Sequence, residues 1–288
     1  MKILLVVNEQ KDKDFALTNE IVDLIGNRAE VYAEKIHIDK NIKNVTYISE
    51  EEYCDVDIIL VLGGDGTLLG VSKISAKLNI PVVGVNLGRL GFLSEIEKES
   101  LKDDLDKLLS GNFKIQERMM ISAKTCDKEN ECALNDIIIT RENSLPKILE
   151  FDVFLDDEFV DHFMADGIII STPTGSTAYS LSAGGPIADP SMKIMIITPI
   201  CPHKMYSRTI IVPNDKKITI KNRSRDDSCA IVATDGQVIG KIKSGETVVV
   251  TESKDSFKLI KLHGFKFFGV LHEKLIKKEN WDEIKQTF

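Results

Sequence analysis

The sequence has no C-x-x-C pair and no histidine at zinc-ligand spacing. Its five cysteines, Cys54, Cys126, Cys132, Cys201 and Cys229, are scattered and odd in number. Neither a zinc module nor a disulfide framework is encoded, and free thiols in a reducing cytosol are the expected state. No apolar run reaches membrane length. The opening Met1–Asn8 is too short in its apolar part for a signal peptide or a span, and reads as the first strand of an α/β domain. A basic excess is missing as well: formal net charge is −8, from 37 Lys and Arg against 45 Asp and Glu. That argues against a general nucleic-acid or anionic-membrane role. Internal repeats and low-complexity tracts are absent. So is the G-x-x-x-x-G-K-[ST] loop, and with it the phosphate-gripping lysine of the Walker type.

What is present is 288 residues, 43% of them apolar and 28% charged, enough for two domains with their own cores. An acidic chain that binds anions has to concentrate its cations locally, and Arg89, Arg118, Arg141, Lys204 and Arg208 are the candidates. The most informative segment is Gly63-Gly64-Asp65-Gly66-Thr67, directly after the apolar run Ile58–Leu62. A buried strand opening into glycines and then a helix is suited to phosphate. Glycine tolerates positive φ and lets backbone N–H groups approach an anion. The helix expected over Thr67–Leu78 points its positive dipole end at the same place. Asp65 only repels phosphate there, so its presence needs a reason. Taking the proton of a hydroxyl that attacks a phosphoryl group is one; capping the helix is the other.

The first third alternates strand and helix: strands at Lys2–Val7, Ile58–Leu62 and Ile80–Val85, helices at Phe15–Gly26, Thr67–Leu78 and Leu101–Ser110. Strands joined through helices predict a parallel sheet with ligands at its carboxyl edge. After Arg118 the pattern becomes short β-branched runs. These are Met119–Lys124, Asp136–Thr140, Glu150–Leu155, Gly167–Ser171, Lys193–Thr198, Lys217–Lys221, Ala230–Thr234, Thr247–Thr251 and Phe257–Leu262. Turn residues separate them, which predicts an all-β second domain with a boundary near residues 114–119. Leu271–Phe288 reads as helical, with Trp281 as a packing anchor.

A second motif lies in the β region. The strand Ile168–Ile170 follows Asp166-Gly167 and leads into Ser171-Thr172-Pro173-Thr174-Gly175-Ser176-Thr177-Ala178-Tyr179-Ser180, then Ser182-Ala183-Gly184-Gly185-Pro186. Hydroxyls interleaved with glycine can hydrogen-bond a base edge or ribose without bulk, and Tyr179 can offer an aromatic face. A Ser/Gly-rich turn would use the same residues.

Together the two motifs resemble the signatures of the NAD kinase family, in its bacterial form: GGDGT in the α/β domain and DG-x-x-x-x-TPTGSTAY-x-x-S-x-GGP in the β domain. Asn86-Leu87-Gly88-Arg89-Leu90-Gly91-Phe92-Leu93 is similar to the family's NxGxxGFL segment. Asn135-Asp136 falls at its Asn-Glu/Asp pair. Thr198-Pro199-Ile200-Cys201-Pro202-His203, Ser207-Arg208, Val212-Pro213 and Asp235-Gly236-Gln237 are similar to its later motifs.

The resemblance implies transfer of the γ-phosphoryl group of ATP, with Mg²⁺ or another divalent metal, to the 2′-hydroxyl of the adenosine ribose of NAD. It implies Asp65 as general base, with Gly63, Gly64, Gly66 and Thr67 cradling phosphate. NAD would be bound by Phe92, Asn135, Asp136, Asp166, Thr174, Thr177, Ala178, Tyr179 and Ser182. Asp65 or Asp166 could touch the metal, but the sequence shows no protein-only metal cage, and magnesium arriving with ATP is the simpler account. It implies an α/β domain over 1–116 plus about 267–288, the last helix returning to it, and a β-rich NAD-binding domain over 117–266. A cytoplasmic homo-oligomer, tetramer or dimer, is implied too, with a neighbouring subunit completing part of each site; no nucleic acid or membrane partner is expected.

Two positions depart from the family pattern. Asp136 is the shorter acid where glutamate is commoner, and Met164 stands where many relatives carry a basic residue. Diacylglycerol and sphingosine kinases also carry GGDGT, but lack the TPTGSTAY loop. A phosphofructokinase-like sugar kinase would not need the adenosine loop. Retention of Asp65 with both motifs argues against a non-catalytic nucleotide sensor.

Overall fold

The computed structural model describes residues 1–88, 91–142, 148–204, 206–224, 228–264 and 266–275. Arg89 and Trp281, singled out above, lie outside them. In chain order the strands are β1 Lys2–Val7, β2 Glu30–Glu34, β3 Thr46–Ile48, β4 Ile58–Gly63, β5 Val82–Asn86, β6 Lys114–Arg118, β7 Ile121–Lys124, β8 Glu131–Ala133, β9 Asp136–Arg141 and β10 Leu149–Leu155. They continue with β11 Glu158–Ala165, β12 Gly167–Ser171, β13 Ile194–Ile200, β14 Ile210–Pro213, β15 Ile218–Asn222, β16 Ala230–Thr234, β17 Gln237–Ile242, β18 Thr247–Glu252 and β19 Phe257–Lys261. The helices are α1 Ala16–Ile25, α2 Asp65–Leu78, α3 Leu101–Leu109, α4 Tyr179–Ser182 and α5 Phe267–Leu275. The chain divides into unit 1, Met1–Glu117 with the chain from Phe257 on, and unit 2, Arg118–Ser256.

Unit 1 is built on a seven-stranded sheet in the order β3-β2-β1-β4-β5-β19-β6. The pairs β1–β2, β1–β4, β2–β3, β4–β5 and β5–β19 are parallel. β4 and β5 are buried along their whole length, as strands covered on both faces must be. α2 turns Leu68, Val71, Ser72, Ser75 and Ala76 inward, the spacing of one helix face. β1, β4 and β5 are neighbours running the same way. Their carboxyl ends therefore deliver Asn8–Lys11, Gly63–Asp65 and Asn86–Gly88 to one edge of the sheet.

Unit 2 holds two six-stranded antiparallel sheets, β11-β10-β15-β18-β7-β8 and β14-β13-β12-β9-β16-β17. Phe151, Ile220 and Val248 of the first share a core with Ile137, Ile168 and Val232 of the second. β9 and β12 are central and pair in register from Asp136 opposite Ser171 to Thr140 opposite Gly167.

Three expectations change. Phe257–Leu262, read as part of the β domain, supplies β19 and joins the parallel sheet, with Leu259 opposite Val82. Its Phe257, Leu259 and Ile260 are all fully buried, and periodicity cannot say which of two cores a buried strand enters. The helix expected over Leu271–Phe288 already begins at Phe267 and is described as far as Leu275; the rest of that expectation, 276–288, lies outside the described residues. β2, β3, β6, β8, β11, β14 and β17 went unread; all but β2 are sheet edges, where strands are short or carry polar residues and lose the alternation that marks them, and β2 alternates buried positions with exposed or half-buried ones between two glutamates.

Candidate active site

α2 begins two residues earlier than the sequence suggested, at Asp65, with Gly64 as its N-cap in an extended conformation and no side-chain cap. Asp65 is thus the first residue of the helix and does not cap it. Its carboxylate reaches out of the helix instead. Oδ2 accepts the Phe92 N–H at 2.9 Å and Oδ1 accepts the Leu93 N–H at 3.1 Å. The segment around Phe92, 27 residues downstream, is therefore the clamp that fixes this carboxylate. A Cβ at Gly91 would lie 2.1 Å from Asp65 Oδ1 and 2.7 Å from Ser94 Oγ. Only glycine lets the loop come this close. Helix α5 closes the cluster: Lys274 Nζ is 3.3 Å from Asp65 Oδ2.

The glycines of GGDGT work by space, not by left-handed backbone: none of Gly63, Gly64 and Gly66 has positive φ. A Cβ on Gly63 would sit 2.3 Å from Thr67 Oγ1, whereas around Gly66 there is nothing within 4 Å. The Thr67 and Leu68 N–H groups already donate to the Gly64 carbonyl at 3.0 and 3.1 Å, which leaves the N–H groups of Asp65 and Gly66, at the positive dipole end, as the donors next to the open ground at Gly66. Thr67 Oγ1 accepts from Asn8 Nδ2 at 3.1 Å and anchors the loop after β1. That loop carries a cation the sequence reading missed. Lys11 Nζ would lie 2.7 Å from a Cβ on Gly64 and 3.5 Å from one on Gly88. Adjacency of β1 and β4 brings it there, and no local spacing announces it.

Four of the five candidate cations sit in unit 2 or at its border. Arg118 is buried, 3.4 Å from Thr174 Oγ1, and burial pushes its guanidinium down to about 10 against the partial offset of Asp189. Arg141 pairs with Asp166 at 3.3 Å. Lys204 donates to the His162 carbonyl at 2.6 Å, and Arg208 to the Ser207 carbonyl.

In unit 2 the hydroxyl-rich segment is a tight cap over the end of β12. Thr172 Oγ1 donates to the Leu134 carbonyl at 2.6 Å and accepts the Gly175 N–H. Ser176 Oγ donates to the Pro173 carbonyl and accepts the Ala188 N–H. Ser180 Oγ meets Thr198 Oγ1 at 3.1 Å. Thr172, Thr174, Ser176 and Ser180 are buried, and their hydroxyls are engaged within the protein, by the loop backbone and by Leu134, Arg118 and Thr198. Tyr179 and Ser182 are exposed, while Thr177 and Ala178 are half-buried. The loop presses on Asn135: a Cβ at Gly175 would fall 2.0 Å from the Asn135 carbonyl oxygen.

Asn135-Asp136 is gripped from the other side by Asp235, a residue the sequence reading placed in a motif but gave no role. Its carboxylate accepts the N–H groups of Leu134, Asn135 and Asp136 at 2.7, 2.8 and 3.2 Å. Burial, with Asp235 as a second cause, pushes the Asp136 carboxyl up to about 7. Asp136, Ser171 and Asp235 therefore share one edge of the sheet with the Tyr179 loop. Asp166 does not. It precedes β12 at the opposite end, roughly 20 Å from Thr172 at about 3.3 Å per residue.

Unit 1 has a carboxylate clamped at a glycine-rich helix start, and unit 2 has a small-residue cap beside a buried carboxyl, the two motifs that resemble those of a nucleotide-dependent phosphotransferase. The chain belongs to the NAD kinase family. Residues 3–113 match the ATP-NAD kinase N-terminal domain and residues 134–262 the ATP-NAD kinase C-terminal domain. An NAD kinase of Caldanaerobacter subterraneus subsp. tengcongensis is 38% identical over 287 residues, covering 96% of this chain and 99% of that protein. One from Moorella thermoacetica is 41% identical over 231 residues, 79% of this chain and 74% of that protein. Among solved structures, yeast NADH kinase complexed with NADH superposes with a TM-score of 0.83 at 25% identity, covering 98% of this chain and 88% of that one. An NAD kinase from Archaeoglobus fulgidus in complex with ATP gives 0.75 at 26% identity, with 95% and 98% coverage.

Proposed function

We propose that this chain transfers the γ-phosphoryl group of ATP to the 2′-hydroxyl of the adenosine ribose of NAD, giving NADP and ADP. The observation that carries the reading is the Asp65 carboxylate, held by two backbone N–H groups at the start of α2 and beside the open ground at Gly66. Asp65 is the general base. The ribose O2′–Pγ bond forms as the bond from Pγ to the leaving ADP oxygen breaks, and the hydroxyl proton passes to Asp65 and on to solvent. In a loose transition state the proton moves late, so the carboxylate mainly orients the nucleophile. Gly63 keeps Thr67 close, and Gly64, Gly66 and the first-turn N–H groups cradle the donor phosphates. Among the described residues no group of three or more His, Cys, Asp or Glu could hold a metal ion. Mg²⁺ enters with ATP as part of the substrate, where it would offset phosphate charge.

Phe92 lines the NAD site, Asn135 and Asp136 take adenine and ribose groups, and Thr177, Ala178, Tyr179 and Ser182 form the adenosine surface over Thr174. Asp166, at the far end of β12, serves the nucleotide of a neighbouring protomer in a homo-oligomer, tetramer or dimer. Inactive Asp65→Asn and Asp166→Ala chains, mixed and reassembled, recover activity if protomers share sites in this way, and stay inactive if they do not. Among the described residues no helix is long and apolar enough to cross a membrane; the reducing-cytosol reading of the cysteines supports a cytoplasmic enzyme.

The test of the reaction is NADP formation from NAD, ATP and Mg²⁺ by purified protein, with Asp65→Asn alongside. Wild type forms NADP, and the variant loses at least about 100-fold in rate, the lower range of a general-base contribution, while remaining folded and binding NAD. NAD binding without any NADP from wild type overturns the kinase reading in favour of a nucleotide sensor.

A further inference from the structure

Helix α5 does more than close unit 1. Phe267 packs on Phe92, ring centroids 6.0 Å apart. Two turns further along the helix, Lys274 Nζ lies 4.3 Å from the Phe92 ring centroid and 3.3 Å from Asp65 Oδ2. Phe92 thus serves twice. Its N–H binds one Asp65 oxygen, and its ring face carries the ammonium that pairs with the same oxygen. An aromatic face and a carboxylate together fix a lysine head group that would otherwise be mobile.

The placement answers an electrostatic difficulty in the proposed reaction. A base that must accept a proton beside a triphosphate is an anion placed next to a larger one. The helix start attenuates the phosphate charge but does not place a whole cation against the Asp65 carboxylate. Lys274 does. It also leaves the base able to work. An ionised carboxylate offers about four lone-pair positions, and the N–H groups of Phe92 and Leu93 with Lys274 Nζ occupy three. One remains for the acceptor hydroxyl.

We propose that Lys274 is the counter-ion of Asp65, a positioning residue that lets carboxylate and phosphoryl donor coexist in one site. This rests on the reading of Asp65 as base. The lysine acts on the reaction through Asp65 and is expected to affect donor binding and turnover, not recognition of NAD.

The experiment uses the full chain. Lys274→Met keeps an unbranched side chain of similar length over Phe92 and removes only the charge, and Lys274→Arg restores it. Steady-state kinetics should show a KM for MgATP raised about tenfold and kcat lowered about tenfold in the Met variant. KM for NAD should stay within twofold of wild type, and the Arg variant should recover most of the loss. Calorimetric titration with MgATP, without NAD, then closes a double-mutant cycle. Lys274→Met weakens MgATP binding at least fivefold in the wild-type background. In Asp65→Asn, where no carboxylate needs an offset, the same substitution changes it less than twofold. Wild-type kinetics in the Met variant overturn the proposal, as does an undiminished loss in the Asp65→Asn background, which would put the ammonium on the phosphate itself. Absence of NADP from wild type would defeat the kinase reading, yet the titration cycle would still report whether Lys274 and Asp65 are coupled.

Discussion

In unit 1 the groups proposed for chemistry point outward. Asp65 leaves its helix for the Phe92 loop, Lys274 and Lys11 converge on the phosphate segment, and Gly66 borders empty space. In unit 2 the polar groups turn inward. Thr172, Ser176 and Ser180 spend their hydroxyls on the Leu134 and Pro173 carbonyls and on Thr198 Oγ1, Asp235 spends its carboxylate on three N–H groups, and Asp136 is buried with a raised pKa. The first arrangement holds a few charged atoms ready for a ligand. The second moulds a fixed surface whose shape, more than its free donors, would select the nucleotide. Rigidity is needed in both, but it is obtained in unit 1 by clamping one side chain and in unit 2 by saturating a whole loop.

Two glycine substitutions test that contrast, since each places a Cβ about 2 Å from an oxygen in one unit. Gly91→Ala collides with the Asp65 carboxylate at 2.1 Å. A carboxylate can rotate away, so the expected cost is catalytic. We expect kcat to fall about 100-fold, the scale of an ångström of misplacement, with the unfolding midpoint little changed. Gly175→Ala collides at 2.0 Å with the Asn135 carbonyl, which is backbone. Nothing there can swing aside, so stability should drop by about 3 kcal/mol, the upper part of the range for overpacking, and NAD binding with it. Denaturant unfolding and kinetics on both variants decide the matter. Equal losses of stability would erase the distinction between the units.

Asp136 sharpens the unit 2 side. Its ionised form is disfavoured in the fold, chiefly by burial, so its carboxyl moves from 3.8 to about 7. Below pH ~4 the group is protonated folded or unfolded and costs nothing. As pH rises from about 4 to about 7 the unfolded chain gives up the proton first and stability falls. At about 1.4 kcal/mol per unit, the total is about 4 kcal/mol as an upper bound. Asp136→Asn should flatten this slope and raise the unfolding midpoint at pH 8 while weakening NAD binding. Identical pH–stability curves for the two proteins would count against the raised value.

How much of this was legible follows from how local each signal is. β4 running out into three glycines around a carboxylate, the first of them its own last residue, reads directly, because strand, turn and helix are contiguous. The same holds for β12 and its cap. The clamp on Asp65 does not read, because it joins residues 27 apart through backbone N–H groups that carry no side-chain signature. Even the helix start was displaced from Thr67 to Asp65, since glycine in the first turn masks the pattern. β19 was assigned to the wrong core for a related reason: burial is visible in a sequence, but its address is not. Nor could spacing show that Asp166 and Thr174, eight residues apart, cap opposite ends of one strand.

Lys11 is the smallest of the expected effects and the most direct check on the outward-facing half. The chain lacks a Walker lysine, yet the loop after β1 supplies an ammonium at the Gly64 N-cap. Asn8 holds that loop, accepting the Lys11 N–H at its carbonyl at 2.9 Å and donating its side-chain amide to Thr67. A lone exposed cation on a flexible stem contributes through charge rather than geometry. Lys11→Met should therefore raise KM for MgATP about tenfold, leave KM for NAD within twofold, and spare the unfolding midpoint. Its effect should also shrink as ionic strength rises, because an exposed charge is screened within about 10 Å at 0.1 M salt. The Lys274 effect, with a side chain packed on Phe92 and Asp65, should survive the same salt. If both losses vanished together in salt, the two lysines would be equivalent surface charges, and the clamped, partly desolvated cluster around Asp65 would have no energetic distinction from its rim.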